Sequence, residues 1–322
     1  MILSAVLTPV DDRNLRLAAQ CGVEGVVLRY PEPGEESIEE AKQRVESYGM
    51  KVAAVEGYLP MERIKRKGEK EAGEWERMRH LLELMGDLEI PLLCYHFMVG
   101  TDWVRTKVDA IERGGALVTG FDLAEAERAI ALNYREENGG GPEVPVAEDR
   151  LWANLACFLD RLLPVAEKVG VTLAMHPDDP PLPTFAGQPR IMRSVENFER
   201  LLSLSASPHN TICFCQGTFA AMGCDIEDTI RRFGRRISYV HFRDVRGSAD
   251  SFVETFHDNG PTDMGGAIRA LRDVGFSGPI RPDHVPQLEG ERDGDPGYTM
   301  LGRLFAFGYI RGLLHGIDGS EP

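Results

Sequence analysis

The sequence predicts an α/β fold, a single (β/α)8 TIM barrel, and three observations predict it. Eight short apolar runs punctuate the 322 residues, and most are followed by a loop and a helix-length segment. Near-continuous apolar strands alternating with helices indicate a parallel sheet buried on both faces. Chemistry-bearing residues recur at the carboxyl ends of the later runs, as a barrel whose strands converge on one functional rim requires. No glycine-rich phosphate fingerprint follows the first run, which weakens an open dinucleotide-binding sheet.

Taken in order, strands are predicted at 3–7, 25–29, 52–57, 92–98, 171–176, 211–216, 237–243 and 279–283. Ser37 is placed to N-cap a helix over 38–48, with Glu40 three positions on completing a capping box. Leu151, Leu155, Phe158, Leu159, Leu162 and Ala166 recur at helical spacing ahead of the fifth strand, and Gly170 is a stop signal. Residues 99–150 form a long excursion after the fourth strand, carrying Trp103, Arg105 and the stretch GGGPEVPVAED. A connection of that length is a candidate lid over an active site.

Composition narrows the function. A net charge of −15 argues against nucleic acid and anionic membranes, which require basic surface. MILSAVLTPVDD has no basic leader, and no run reaches the ~18 apolar residues of a membrane span. The six cysteines are scattered, mostly within apolar runs, so reduced thiols in the cytoplasm are expected.

Four strand ends stand out: His176 in AMHPDD, Cys215 in CFCQGT, His241 in YVHFRD and Asp283 in IRPDH. Two imidazoles, a thiolate and a carboxylate on one rim suit Mn²⁺, Fe²⁺ or Zn²⁺. Alternation supports the assignment, since it turns Thr172 and Ala174 inward with His176 and sends Val171, Leu173 and Met175 toward the helices. The same rule puts Cys213 beneath Cys215, Tyr239 beneath His241 and Arg281 beneath Asp283, leaving Cys213 as a packing thiol. His284 follows Asp283 directly and faces the same way only if the strand has ended. With Tyr298 of DPGYT it forms a candidate acid–base pair. Asp178 and Asp179 are candidates to orient the ligands from behind. His96, at the fourth strand's end, is a candidate substrate contact, and Trp103 joins it from the excursion; His209, in the turn SASPHNT, is expected to be exposed.

The motifs HPDDPP, GQPRI, FCQGT, HFRDV, FVETFHDNGPTDM, RPDH and GRLFAFGYIRGL, with VAAVEGYLP and CYHFMVGTDWVRT upstream, closely resemble the bacterial mannonate dehydratases of glucuronate catabolism. That resemblance implies a xylose-isomerase-like barrel, bound Mn²⁺ or Fe²⁺, and loss of water from D-mannonate to give 2-dehydro-3-deoxy-D-gluconate. It implies metal ligands at His176, Cys215, His241 and Asp283 and acid–base residues at His284 and Tyr298. Proton abstraction beside a carboxylate builds negative charge that a divalent ion offsets, and Arg105, Arg190 and Arg243 are candidate clamps for that carboxylate. The expected partner is a small sugar acid, and the expected assembly a homo-oligomer. Rim positions depart from the family pattern: LSAVLTPVDD lacks its aromatic, arginine-bearing start, His96 replaces an asparagine, and Val285 follows RPDH in place of glycine. A sugar isomerase or epimerase on the same barrel is the alternative reading.

Overall fold

A computed structural model describes residues 1–70, 73–132, 144–292 and 294–318. Eight strands close a barrel: β1 (Ile2–Val6), β2 (Gly25–Leu28), β3 (Lys51–Glu56), β4 (Leu92–Tyr95), β5 (Thr172–Met175), β6 (Asn210–Cys215), β7 (Ile237–Phe242) and β8 (Pro279–Pro282). Each is parallel to its neighbours in chain order, and β8 closes on β1. Seven strands start and stop within one residue of the predicted bounds. The fourth ends early, at Tyr95, because the chain turns there: the Met98 amide donates to His96 Nδ1 at 3.2 Å instead of continuing the ladder.

Side-chain alternation divides the apolar interior in two. Val171, Leu173, Met175, Ile212, Phe214, Val240 and Phe242 pack in the layer between sheet and helices. Val6, Val27, Ala54, Cys94, Ala174, Cys213 and Tyr239 fill the barrel itself. The helix Glu148–Val169 buries all six positions named from its periodicity, and its Phe158 ring stacks on Tyr95 with centroids 4.9 Å apart. Gly170 caps it at φ 77°, a left-handed conformation that costs other residues a Cβ clash. The predicted capping box opens Ile38–Ser47, with both reciprocal bonds present.

The excursion after β4 is a folded structure across the rim. Its strands Lys107–Ile111 and Leu117–Asp122 join the hairpin Val245–Ser248 and Ser251–Glu254, which follows β7, in a four-stranded antiparallel sheet. Val104–Arg105 pairs with Ile130–Ala131 beside it. The glycine run Gly139–Gly141 lies outside the described residues. His209, expected to be exposed, is half-buried because its Nδ1 bonds the Val171 carbonyl at 2.7 Å. No described helix is long and apolar enough to cross a membrane.

Candidate active site

A narrow cavity of about 40 Å³ opens at the carboxyl ends of the strands, where a parallel barrel gathers its functional side chains. Its walls include His176, His241, Asp283, His284, Tyr298, His96 and Trp103, seven of the residues singled out from sequence. His284 reaches it because β8 has already stopped at Pro282, so strict alternation no longer applies.

His176, Cys215 and His241 present ligating atoms that all lie within 4.8 Å of one another. His176 Nδ1 donates to the Pro177 carbonyl at 2.6 Å, which leaves Nε2 as the nitrogen available to a metal. Cys215 Sγ lies 3.8 Å from Asp283 Oδ2, and His241 Nδ1 lies 3.9 Å from the same oxygen. The fourth predicted ligand therefore stands at the edge of the trio. Its Oδ1 accepts from Arg281 and its Oδ2 from Arg243, both at 2.7 Å. Burial works against a thiolate at Cys215, but Arg243, His176 and His241 outweigh it and hold the thiol well below its usual range. Burial likewise opposes charge on His176, yet the adjacent thiolate lifts it to about 9. An anionic sulfur facing two imidazoles is a donor set suited to a divalent transition metal, and binding would displace the imidazole protons.

The three candidate arginine clamps separate cleanly. Arg105 pairs with Asp179 Oδ1 at 2.7 Å and Glu254 Oε1 at 2.6 Å. Arg243 pairs with Asp179 Oδ2 at 2.8 Å, Glu254 at 2.9 Å and Asp283 at 2.7 Å. Both guanidiniums are thus committed to carboxylates of the chain itself, and Gly217 makes room for one: a Cβ there would stand 2.6 Å from Arg243 Nη1. Arg190 differs. It is 1 % exposed, and among the described residues none of its three side-chain nitrogens has a hydrogen-bond partner.

The aspartates expected to orient the ligands do other work. Asp179 holds Arg105 and Arg243, and Asp178 accepts from the Met192 amide at 2.8 Å. The Pro177 carbonyl orients His176 in their place. His96 Nε2 lies 3.7 Å from Asp102 Oδ2, and burial drives its pKa down, so its ring is neutral. Trp103 stacks on His284 with centroids 3.9 Å apart, lies under the Arg105 guanidinium, and has a buried indole N–H without a partner.

His284 Nδ1 is 2.9 Å from Glu254 Oε1 and 3.2 Å from Arg105 Nη2. Arg105 already donates to that same carboxylate oxygen, so the imidazole Nδ1–H is directed at Glu254 as well, which fixes the ring's orientation. Tyr298 donates to Asp283 Oδ1 at 3.4 Å, and burial and Asp283 raise its pKa above the ordinary phenol, which keeps it protonated.

Sequence reasoning passed over Arg29, Glu56, Asp102 and Glu254. Arg29 and Glu56 sit at the ends of the β2 and β3 runs, where the rule applied to β5–β8 finds them. Arg29 lines the cavity with Nε and Nη2 unpaired while Nη1 bonds Glu56 at 3.0 Å. Burial lifts Asp102 to about 6. Glu254 lies in the rim hairpin, and no strand-end rule reaches it.

Fold and site together define a xylose-isomerase-like barrel with a metal-competent, acid–base-equipped cavity. The sequence matches the family model described as D-mannonate dehydratase (UxuA) over residues 7–135 and 143–321. It is 32% identical over 307 residues to a mannonate dehydratase of Oceanobacillus iheyensis, covering 89% of this chain and 86% of that one. It is 34% identical over 331 residues to one from Thermotoga petrophila, covering 92% and 91%. The crystal structure of mannonate dehydratase from Streptococcus suis superposes with a TM-score of 0.85 at 29% identity, covering 98% and 94%. An L-ribulose 3-epimerase aligns at TM-score 0.62 and 14% identity, a likeness of fold alone. The chain belongs to the D-mannonate dehydratase family.

If the trio and Asp283 hold the metal, Cys215→Ser and His241→Ala should each lower metal content after purification without chelator, read by elemental analysis. Undiminished metal in both variants contradicts the assignment.

Proposed function

We propose that this chain removes water from D-mannonate to give 2-dehydro-3-deoxy-D-gluconate, using Mn²⁺ or Fe²⁺ held by His176, Cys215, His241 and Asp283. The observation that carries the reading is the meeting of three features at one cavity of a family member: a His–Cys–His donor trio whose two imidazoles line it, an imidazole oriented by a buried carboxylate, and a protonated phenol. When bound, the metal supplies positive charge against the dianion that forms as the C2 proton leaves.

The chain's own groups divide the remaining work. Arg190, whose buried guanidinium has free donors and stands behind the residues that line the cavity, is assigned the substrate carboxylate on its chemistry. Arg29 and the Trp103 indole N–H offer donors for hydroxyls. His284 Nε2, with Nδ1 fixed on Glu254, takes the C2 proton. Tyr298 gives its proton to the departing C3 hydroxyl, and the enol then tautomerises to the 2-keto acid. Trp103 and Arg105 carry the rim insertion over the site, and we assign the described residues of 99–150, namely 99–132 and 144–150, as its lid. Limited proteolysis should show protection of that segment by a bound substrate analogue. Equal cleavage with and without the analogue argues for a surface insertion.

Incubation with a panel of sugar acids and ketoses separates dehydration from isomerisation: a keto-deoxy acid from mannonate is expected, and an isomer of unchanged mass contradicts the reading. Tyr298→Phe should keep fold and metal while turnover drops about 10²–10⁴-fold. His284→Ala should abolish both turnover and exchange of the C2 hydrogen with solvent deuterium. Near-normal turnover in Tyr298→Phe would remove the tyrosine from the mechanism.

A further inference from the structure

One layer below the rim trio the barrel holds a second convergence of soft donors. Cys94 of β4, Cys213 of β6 and His241 of β7 present sulfur, sulfur and nitrogen atoms that all lie within 4.8 Å of one another. All three residues are at most 2 % exposed, and both thiols belong to the cluster that fills the barrel. Cys94 and His241 also line the cavity, which gives an ion a route in.

A disulfide does not account for the pair. β5 runs between β4 and β6, with Ala174 directly beside Cys94. Strands two apart lie roughly 9–10 Å from each other, and a disulfide needs Cα atoms within about 7 Å. A metal spans the gap more easily, because each bond to sulfur adds about 2.3 Å. The small Ala174 side chain leaves the thiols free to face each other across the barrel.

We infer that Cys94, Cys213 and His241 form a second metal site, distinct from the rim set, that takes a thiophilic divalent cation such as Cd²⁺ or Zn²⁺. Two thiolates and one imidazole are softer donors than one thiolate, two imidazoles and a carboxylate, so the two sites sort ions by hardness. They share His241. One imidazole serves both ions only by losing its last ring proton, and two dications so close repel strongly in a buried setting. Occupation is therefore exclusive: a soft ion in the lower site draws His241 away from the rim site. Binding converts both thiols to thiolates and takes the proton from the ligating nitrogen of His241, so uptake of each ion releases protons to solvent.

Titrating metal-free, reduced protein with Cd²⁺ tests this, read by the ultraviolet thiolate-to-cadmium charge-transfer band, whose intensity counts bound thiolates. Wild type should take up a single Cd²⁺ per chain with two-thiolate intensity, and Cys215→Ser should keep that intensity. Cys94→Ala and Cys213→Ala should each lose about half of it, as the ion moves to the single-thiolate rim site. Both single variants are needed, so that misfolding of one leaves the other to decide. A band that vanishes in Cys215→Ser, or that survives undiminished in Cys94→Ala or Cys213→Ala, overturns the second site.

Discussion

The arrangement depends on a buried ladder of charge. Arg29, Arg105, Arg243 and Arg281 face Glu56, Asp179, Glu254 and Asp283 in a continuous set of ion pairs, most of them between 2.6 and 3.0 Å. Isolated buried ions are costly, and removing one partner of such a pair leaves the other uncompensated, at about 3–5 kcal/mol. Four cations face four anions, so the ladder itself carries no net charge. The ladder also crosses the architecture: Arg105 comes from the rim insertion, Asp179 from the loop after β5, Glu254 from the hairpin after β7, and Asp283 from the end of β8. Rim and barrel are thereby locked to one geometry.

The chemistry hangs from this ladder. Glu254 accepts from Arg105, Arg243 and His284 at once, so the residue that anchors the rim insertion also orients the His284 ring. Asp283 stands between Arg281 and Arg243 below and Tyr298 above, at the border of the His176–Cys215–His241 trio. Among the candidate arginine clamps, Arg190 alone lies outside this ladder, with none of its three side-chain nitrogens hydrogen-bonded among the described residues. Arg105 and Arg243 have the right chemistry for carboxylate recognition but are already used on carboxylates of the chain.

Much of this was legible in the sequence, and the reason is geometric. Parallel strands have a short period and a defined end, so the rule that barrel chemistry sits at strand carboxyl ends located His176, Cys215, His241 and Asp283, and alternation placed Ala174, Cys213 and Tyr239 inside the barrel. The rim sheet was not legible. Its strands Lys107–Ile111 and Leu117–Asp122 are short, and their partner Ser251–Glu254 lies some 130 residues further on, a pairing no local pattern reports. Glu254 was missed for the same cause. The roles of Asp178, Asp179, Arg105 and Arg243 needed partners, since sequence gives the charge of a side chain but not what already neutralises it.

The central claim is that Glu254 ties the rim insertion to the barrel through Arg105 and Arg243. Hydrogen exchange of backbone amides in Glu254→Gln, compared with the unaltered chain, tests it most directly. The claim predicts that exchange across 104–122 quickens by about tenfold or more, the effect of losing roughly 1.4 kcal/mol or more of local stability, while the inner amides of β5 and β6 keep their protection. Unchanged exchange in the rim strands would contradict it, and would mean that the sheet holds its place by packing alone.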